Sequence, residues 1–236
     1  MKLTKTLTNN RTQDNLLHLG SLFSKMLKQR FGKGPETCLV TIYDSRLTVF
    51  IRKYITPAEE VLIESNQYNL AYEFRNVVIA KVIDEFVEEA KVILGHPLHT
   101  YFCDWDYEKN TGVIVIDNGK SYEYSESMIS TKLKGKLAEQ IARVSSGVHK
   151  VPSSIDIIKL NQNMFAVECQ ETMLEVEKVL FRKDCMDILQ ERSREIKKSY
   201  VNQRELFELA FGRVIEGLFM TWDFKNDRSY IFFYLQ

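Results

Sequence analysis

Two arginines have the chemistry to hold an anion. Arg52 ends a strand-like run and Arg75 sits in a long helix-like run. A guanidinium presented from a rigid element grips a carboxylate or phosphate through a bidentate fork. Near them in sequence lie Thr56 and Glu59, at a helix-start signature, and Asp104 in a later strand-like run. Further along, Arg192 occupies the place that Arg75 holds earlier. Arg52, Thr56, Glu59, Arg75, Asp104 and Arg192 are the candidate ligand-binding residues. The competing reading is a structural ion pair, for instance Arg75 with Asp104, since such pairs are common in cores.

Other constellations carry less. His96, His99, Cys103, Asp104 and Asp106 are metal-binding types. On a strand, His99 and Cys103 point to one face and the aspartates to the other, so their lone pairs do not converge, and no metal is expected. Asp104 and Asp106 as paired carboxylates lack a partner across a cleft, and Asp106 suits a turn cap. Gly32-Lys-Gly-Pro35 follows a helix and lacks a Walker ending, so it reads as helix termination. The basic run Lys132-Leu-Lys-Gly-Lys136 has three charges, fewer than electrostatic membrane attachment needs. Gly-x-Ser-x-Gly, His-Glu-x-x-His and Gly-x-Gly-x-x-Gly do not occur. Neither a catalytic residue nor a cofactor is expected.

The 236 residues balance 32 basic against 32 acidic groups. Residues 1–118 hold 14 and 15, residues 119–236 hold 18 and 17. A protein that binds nucleic acid by neutralising phosphates shows a basic excess, so nucleic acid is not an expected partner. The longest apolar stretch, Tyr230 to Leu235, is far short of the ~20 residues of a membrane helix. No leader-like apolar segment opens the chain. Cys38, Cys103, Cys169 and Cys185 are scattered like reduced thiols. A cytoplasmic protein without a membrane span is expected.

The chain also repeats itself. Leu94-Gly95 and Trp105-Asp106-Tyr107 return as Phe211-Gly212 and Trp222-Asp223-Phe224, an offset of 117 residues that matches the only two tryptophans. Pro35, Arg75, Phe102 and Ile114 fall at the same offset on Pro152, Arg192, Phe219 and Ile231. In between, the offset slips to 118: Glu59, Val61 and Leu62 match Glu177, Val179 and Leu180. The slip belongs in a turn, Asp44-Ser45 against Asn161-Gln162-Asn163. Two copies are expected, 12–118 and 127–236, joined by a linker at 119–126.

Each copy must place its residues on similar elements. Leu16, Leu19, Phe23 and Leu27 recur at helical spacing, and Leu133, Leu137, Ile141 and Val144 match them. Thr37–Tyr43 and Arg46–Tyr54 alternate as a half-buried hairpin, with Arg46, Thr48 and Arg52 on the polar face. Thr56-Pro-Ala-Glu59 combines an N-cap, a first-turn proline and a capping-box glutamate. A helix over about 70–94 follows, with Phe74, Val78, Val82, Phe86 and Ala90 as its apolar stripe, then two strands. The expected fold is α+β: two tandem α-β-β-α-α-β-β repeats, each a four-stranded antiparallel sheet with helices on one face.

Gly32-Lys-Gly-Pro35, Val40-Thr-Ile-Tyr43, Ile55-Thr-Pro-Ala-Glu59, Arg75, Gly95, Asp104, Asp106 and Thr111-Gly-Val-Ile-Val-Ile116 together resemble the MpsC-like family. It is a domain of unknown function annotated with a sodium-translocating, membrane-potential-generating system. The second copy keeps Arg192, Gly212 and Asp223, but has Val148-His-Lys-Val-Pro152 and Leu174-Glu-Val-Glu177 where the first has its glycine loop and Thr-Pro start. The resemblance implies a bacterial, non-enzymatic accessory or regulatory protein linked to a membrane ion or bicarbonate transport system. It would act through protein contacts or a small anion, in the cytoplasm or peripherally at the inner face of the membrane, as a monomeric pseudo-dimer or a homodimer. Two alternatives stand beside it: a ligand sensor or enzyme with an Arg/Asp cleft between the copies, and a structural scaffold.

Overall fold

The computed structural model describes residues 2–43, 46–95, 97–117 and 129–236. The Asp44-Ser45 turn, His96 and the 119–126 linker lie outside the described residues. The chain divides into two compact units, Met1–Tyr122 and Glu123–Gln236.

The first unit runs α1 (Lys2–Phe31), β1 (Thr37–Tyr43), β2 (Arg46–Arg52), α2 (Pro57–Glu64), α3 (Tyr68–Leu94), β3 (Thr100–Asp106) and β4 (Thr111–Asp117). The second runs α4 (Thr131–Ser145), β5 (Ser154–Lys159), β6 (Met164–Gln170), α5 (Glu175–Arg182), α6 (Met186–Asn202), α7 (Arg204–Phe211), β7 (Ile215–Asp223) and β8 (Arg228–Leu235). Both sheets are antiparallel and share one strand order, β1-β2-β4-β3 and β5-β6-β8-β7. The mixed fold expected from the alternation is therefore present. One expected long helix is broken: α6 stops at Asn202 and α7 restarts at Arg204, where Val201-Asn202 are weak helix formers.

The units agree in detail. Val49 faces Val40 and Ile114, and Val167 faces Ile157 and Ile231. Trp105 lies opposite Gly112, and Trp222 opposite Ser229. Both long helical segments end on a left-handed glycine, Gly95 at φ 76° and Gly212 at φ 67°. Six non-glycine residues of the described chain in the left-handed region also fall into three matched pairs: Lys53 with Glu171, Asn66 with Asp184 and Asn110 with Asp227. Such backbone is uncommon outside glycine, so its recurrence at matching positions is more specific than shared helix content.

On the helix side of the first sheet, Leu19, Phe23 and Leu27 of α1 and Ile79, Val82, Phe86 and Ala90 of α3 pack with Leu47, Val49, Ile51, Ile114 and Ile116. Phe23 meets Phe86 edge-on at 4.8 Å between centroids. The equivalent core of the second unit gathers Leu137, Ile141, Val167, Ile196, Phe207 and Phe233.

Two expectations are corrected. The second strand of the hairpin is not half-buried, although β1 keeps exposed residues such as Thr37 and Leu39: Arg46, Thr48 and Phe50 on the far face of β2 are buried, as are Val113, Val115 and Asp117 of the neighbouring β4. The polar members of that face are accommodated by pairing, Arg46 Nε donating to Asp117 at 3.2 Å. The buried stripe of α3 is Ala71, Arg75, Ile79, Val82, Ile83, Phe86 and Ala90, while Phe74 is 38% exposed. A stripe drawn through apolar residues alone misses its first turns, because a charged residue fills a core position there.

Candidate functional site

The buried charge at Arg75 is met by the start of α2. Thr56 caps that helix with extended backbone, Pro57 supplies a preset φ, and Glu59 folds back to the cap. One Glu59 oxygen accepts from the Thr56 backbone N at 2.9 Å, the Thr56 hydroxyl at 2.7 Å and Arg75 Nη2 at 2.6 Å. The other accepts from Arg75 Nε and from the Tyr107 hydroxyl, the latter at 3.3 Å. Arg75 Nη2 also donates to the Tyr54 carbonyl at 2.9 Å. The guanidinium lies over three rings, Trp105 at 4.6 Å, Tyr107 at 4.8 Å and Tyr54 at 5.2 Å, an arrangement that favours a cation.

This cluster is closed. Glu59 is 0% and Arg75 2% exposed, and Thr56, Tyr54 and Trp105 are buried with them. Burial pushes the Tyr54 and Tyr107 phenols up, the Arg75 charge working against that shift in both. The wall is further tied by Tyr72, whose hydroxyl donates to the Trp105 carbonyl at 2.8 Å and whose ring meets Tyr107 edge-on. Glu59 and Arg75 thus staple α2, α3 and the ends of β2 and β3 together. An incoming anion would have to displace Glu59 to reach Arg75.

The remaining candidates lie elsewhere. Asp104 projects to the face of β3 opposite Trp105, and its Oδ1 accepts from the Trp105 backbone N at 2.8 Å. It is not among the residues bonded to Arg75, so the ion pair expected between those two is replaced by one with Glu59. Arg52 ends β2 on the far face, half-buried and opposite Thr37 and Thr111 in the register. Asp106 caps a turn, accepting from Lys109 N at 3.0 Å. Exposed His99 is separated from any ligand set: among the described residues no three His, Cys, Asp or Glu converge on a metal position.

Arg192 repeats the pairing of Arg75 with altered surroundings. Its Nε donates to Glu177 at 3.2 Å, and its Nη2 to the Val148 carbonyl. Its side chain is 38% exposed, against 3% for Arg75. Glu177 still accepts from the Leu174 backbone N at 2.7 Å, but a leucine side chain has no acceptor to complete the reciprocal cap. Thr172 and Phe224 stand where the first unit has Tyr54 and Tyr107.

The change of rings has a local cause. A Cβ at Gly112 would fall 2.0 Å from the Trp105 ring, so only glycine lets that indole lie flat across β4. Ser229 fills the equivalent position. Trp222 instead stacks on Phe224 at 5.9 Å and meets His149 edge-on at 5.7 Å. His149, in the place of Gly32, is buried. Its Nδ1 donates to the Lys150 carbonyl at 2.7 Å, and its Nε2 accepts from the Tyr200 hydroxyl at 2.8 Å. Burial, assisted by the Arg192 charge, lowers its pKa to about 4 and keeps the ring neutral.

Tyr54, Trp105, Tyr107 and His149 were not among the sequence candidates. Tyr54 and Tyr107 follow strand ends next to residues that were singled out, but nothing in their spacing announces a cation. His149 lies in a loop with no periodicity at all.

Among the described residues no helix is long and apolar enough to cross a membrane. None of the curated proteins and none of the solved structures matches the chain. A family model does: residues 18–117, nearly the whole of the first unit, match the family described as Na+-translocating membrane potential-generating system (MpsC).

Proposed function

We propose that this chain is a non-catalytic accessory or regulatory protein of a sodium-dependent membrane-potential-generating transport system, working through protein contacts. The match of residues 18–117 to the MpsC model is the observation that carries the reading. The closed cluster supports it: Glu59 and Arg75 spend their hydrogen-bonding capacity on one another and on Thr56, Tyr54 and Tyr107, so they serve to hold a surface in shape. In this reading residues 12–118 and 127–236 are two copies of one domain. The second has kept the fold and lost the aromatic enclosure, and the chain meets its membrane partner from the cytoplasmic side.

Deletion of the chain from its host, with complementation, tests this. The expected outcome is impaired sodium- and bicarbonate-dependent growth and a lower membrane potential by a voltage-sensitive dye, both restored by the wild-type chain. Unchanged growth and potential under sodium load would refute the transport link.

A further inference from the structure

Of the four edge strands among the described residues, three carry devices that discourage pairing with another chain. Asp104 and Asp106 lie on β3, Asp156 and Lys159 on β5, and Glu216 with a register shift beside it on β7. Strand β1, Thr-Cys-Leu-Val-Thr-Ile-Tyr, has no charge, proline or bulge over its seven residues. Beside it a cleft of about 440 Å3 runs between the strand and α1, lined by Gln13, Leu17, Ser21 and Ser24 on the helix, by Leu39 on the strand and by Glu36 just before it. Leu17 is 64% exposed there, while Leu39, 39% exposed, lies opposite Phe50 and so projects to the face of β1 away from α1.

The helix bordering this cleft is self-complementary in charge. Asp14, Leu17, Ser21, Ser24 and Lys28 recur at three- and four-residue spacing and share one stripe. Asp14 and Lys28 stand two turns to either side of Ser21, both exposed, and neither joins an ion pair among the described residues. A second α1 laid antiparallel with Ser21 against Ser21 brings Asp14 to the partner's Lys28 at one end and Lys28 to the partner's Asp14 at the other. An antiparallel helix pair and an antiparallel β1–β1 pair obey the same twofold axis.

We propose that a second copy of this chain docks here. Strand β1 pairs with the partner's β1, two four-stranded sheets become one of eight strands, and α1 packs on the partner's α1 across the cleft. Leu17 becomes buried between the two helices, Leu39 meets the partner's strand on the opposite face of the sheet, and the two Asp14–Lys28 contacts set the register.

Sedimentation of the full chain tests this with substitutions at exposed positions. The wild type is expected to sediment as a dimer. Leu39→Lys places a charge on the pairing edge and gives monomers. Asp14→Lys and Lys28→Asp each set like charges together at both ends of the helix pair and weaken the dimer about 100-fold. A one-to-one mixture of those two variants restores opposite charges across the axis and reassociates as a mixed dimer. A wild type that stays monomeric up to about 100 µM, a dimer indifferent to any of the three substitutions, or failure of the mixture to reassociate overturns the proposal.

Discussion

Arg75 and Glu59, sixteen residues apart, close two nitrogens on two oxygens inside the core of the first unit. A buried ion pair is weak evidence for net stability, because both charges lose hydration. Breaking one is nevertheless costly, because the survivor stays buried without a partner. Here three rings and the cap of α2 have been fitted around the pair, so the cost extends to the junction of α2 with α3.

Arg75→Ala or Glu59→Ala is therefore expected to destabilise the first unit by about 3–5 kcal/mol. The double replacement Glu59→Leu with Arg75→Met costs less than either single change, because no lone charge is left in the core. Arg192→Ala removes a half-exposed partner and costs about 1 kcal/mol. Urea denaturation of the singles and doubles gives the two coupling energies, and the first must be the larger.

Gly112→Ser makes the first unit imitate the second. The new Cβ overlaps the Trp105 ring, so the indole must leave the guanidinium or the strand must bend. The expected loss is about 3 kcal/mol, with a changed near-ultraviolet signal from Trp105. The reverse change, Ser229→Gly, leaves Trp222 beside His149 and Phe224, because Thr172 does not rebuild the box.

Much of this was open to a reader of the residues, for identifiable reasons. Thr37–Tyr43 alternates between a glycine-proline turn and a polar one, so both strand ends are marked, and the strand occupies those residues. Thr56 and Glu59 signal a helix start through local hydrogen bonds, which need no knowledge of the rest of the chain. Arg75 was singled out, but its partner depends on which face of β3 turns inward. Trp105 takes the inner face and sends Asp104 outward, whereas Glu59, already explained as a cap, had a second role that its position did not announce. The apolar stripe of α3 was misplaced for the same cause, since any scale that counts arginine as a surface residue skips position 75.

Leu174→Thr repairs the half-made cap of α5. Glu177 already accepts from the backbone N of residue 174, and the backbone there is extended, as a cap requires. A threonine hydroxyl adds the missing acceptor that Thr56 supplies in the first unit. Leu174 is 38% exposed, so little packing is lost. The variant is expected to gain about 1 kcal/mol in urea denaturation, and Thr56→Ala to lose a similar amount.

His149 should make the second unit sensitive to acid. Its pKa is lowered from the usual 6.5 to about 4, chiefly by burial. Between those two values the unfolded chain binds a proton that the folded chain refuses, so stability is full above pH 6.5 and falls as the pH drops toward 4, below which both states are protonated. Across that window the slope attributable to this residue approaches 1.4 kcal/mol per pH unit, the free energy of one unit of pKa difference at about 25 °C. Protonation at Nε2 would also oppose the Tyr200 hydroxyl that now donates to it. His149→Gln should flatten the stability curve over this range relative to the wild type, and an NMR titration of the His149 ring should show no protonation down to pH 5. A ring that titrates near 6.5 would mean that the loop opens to water.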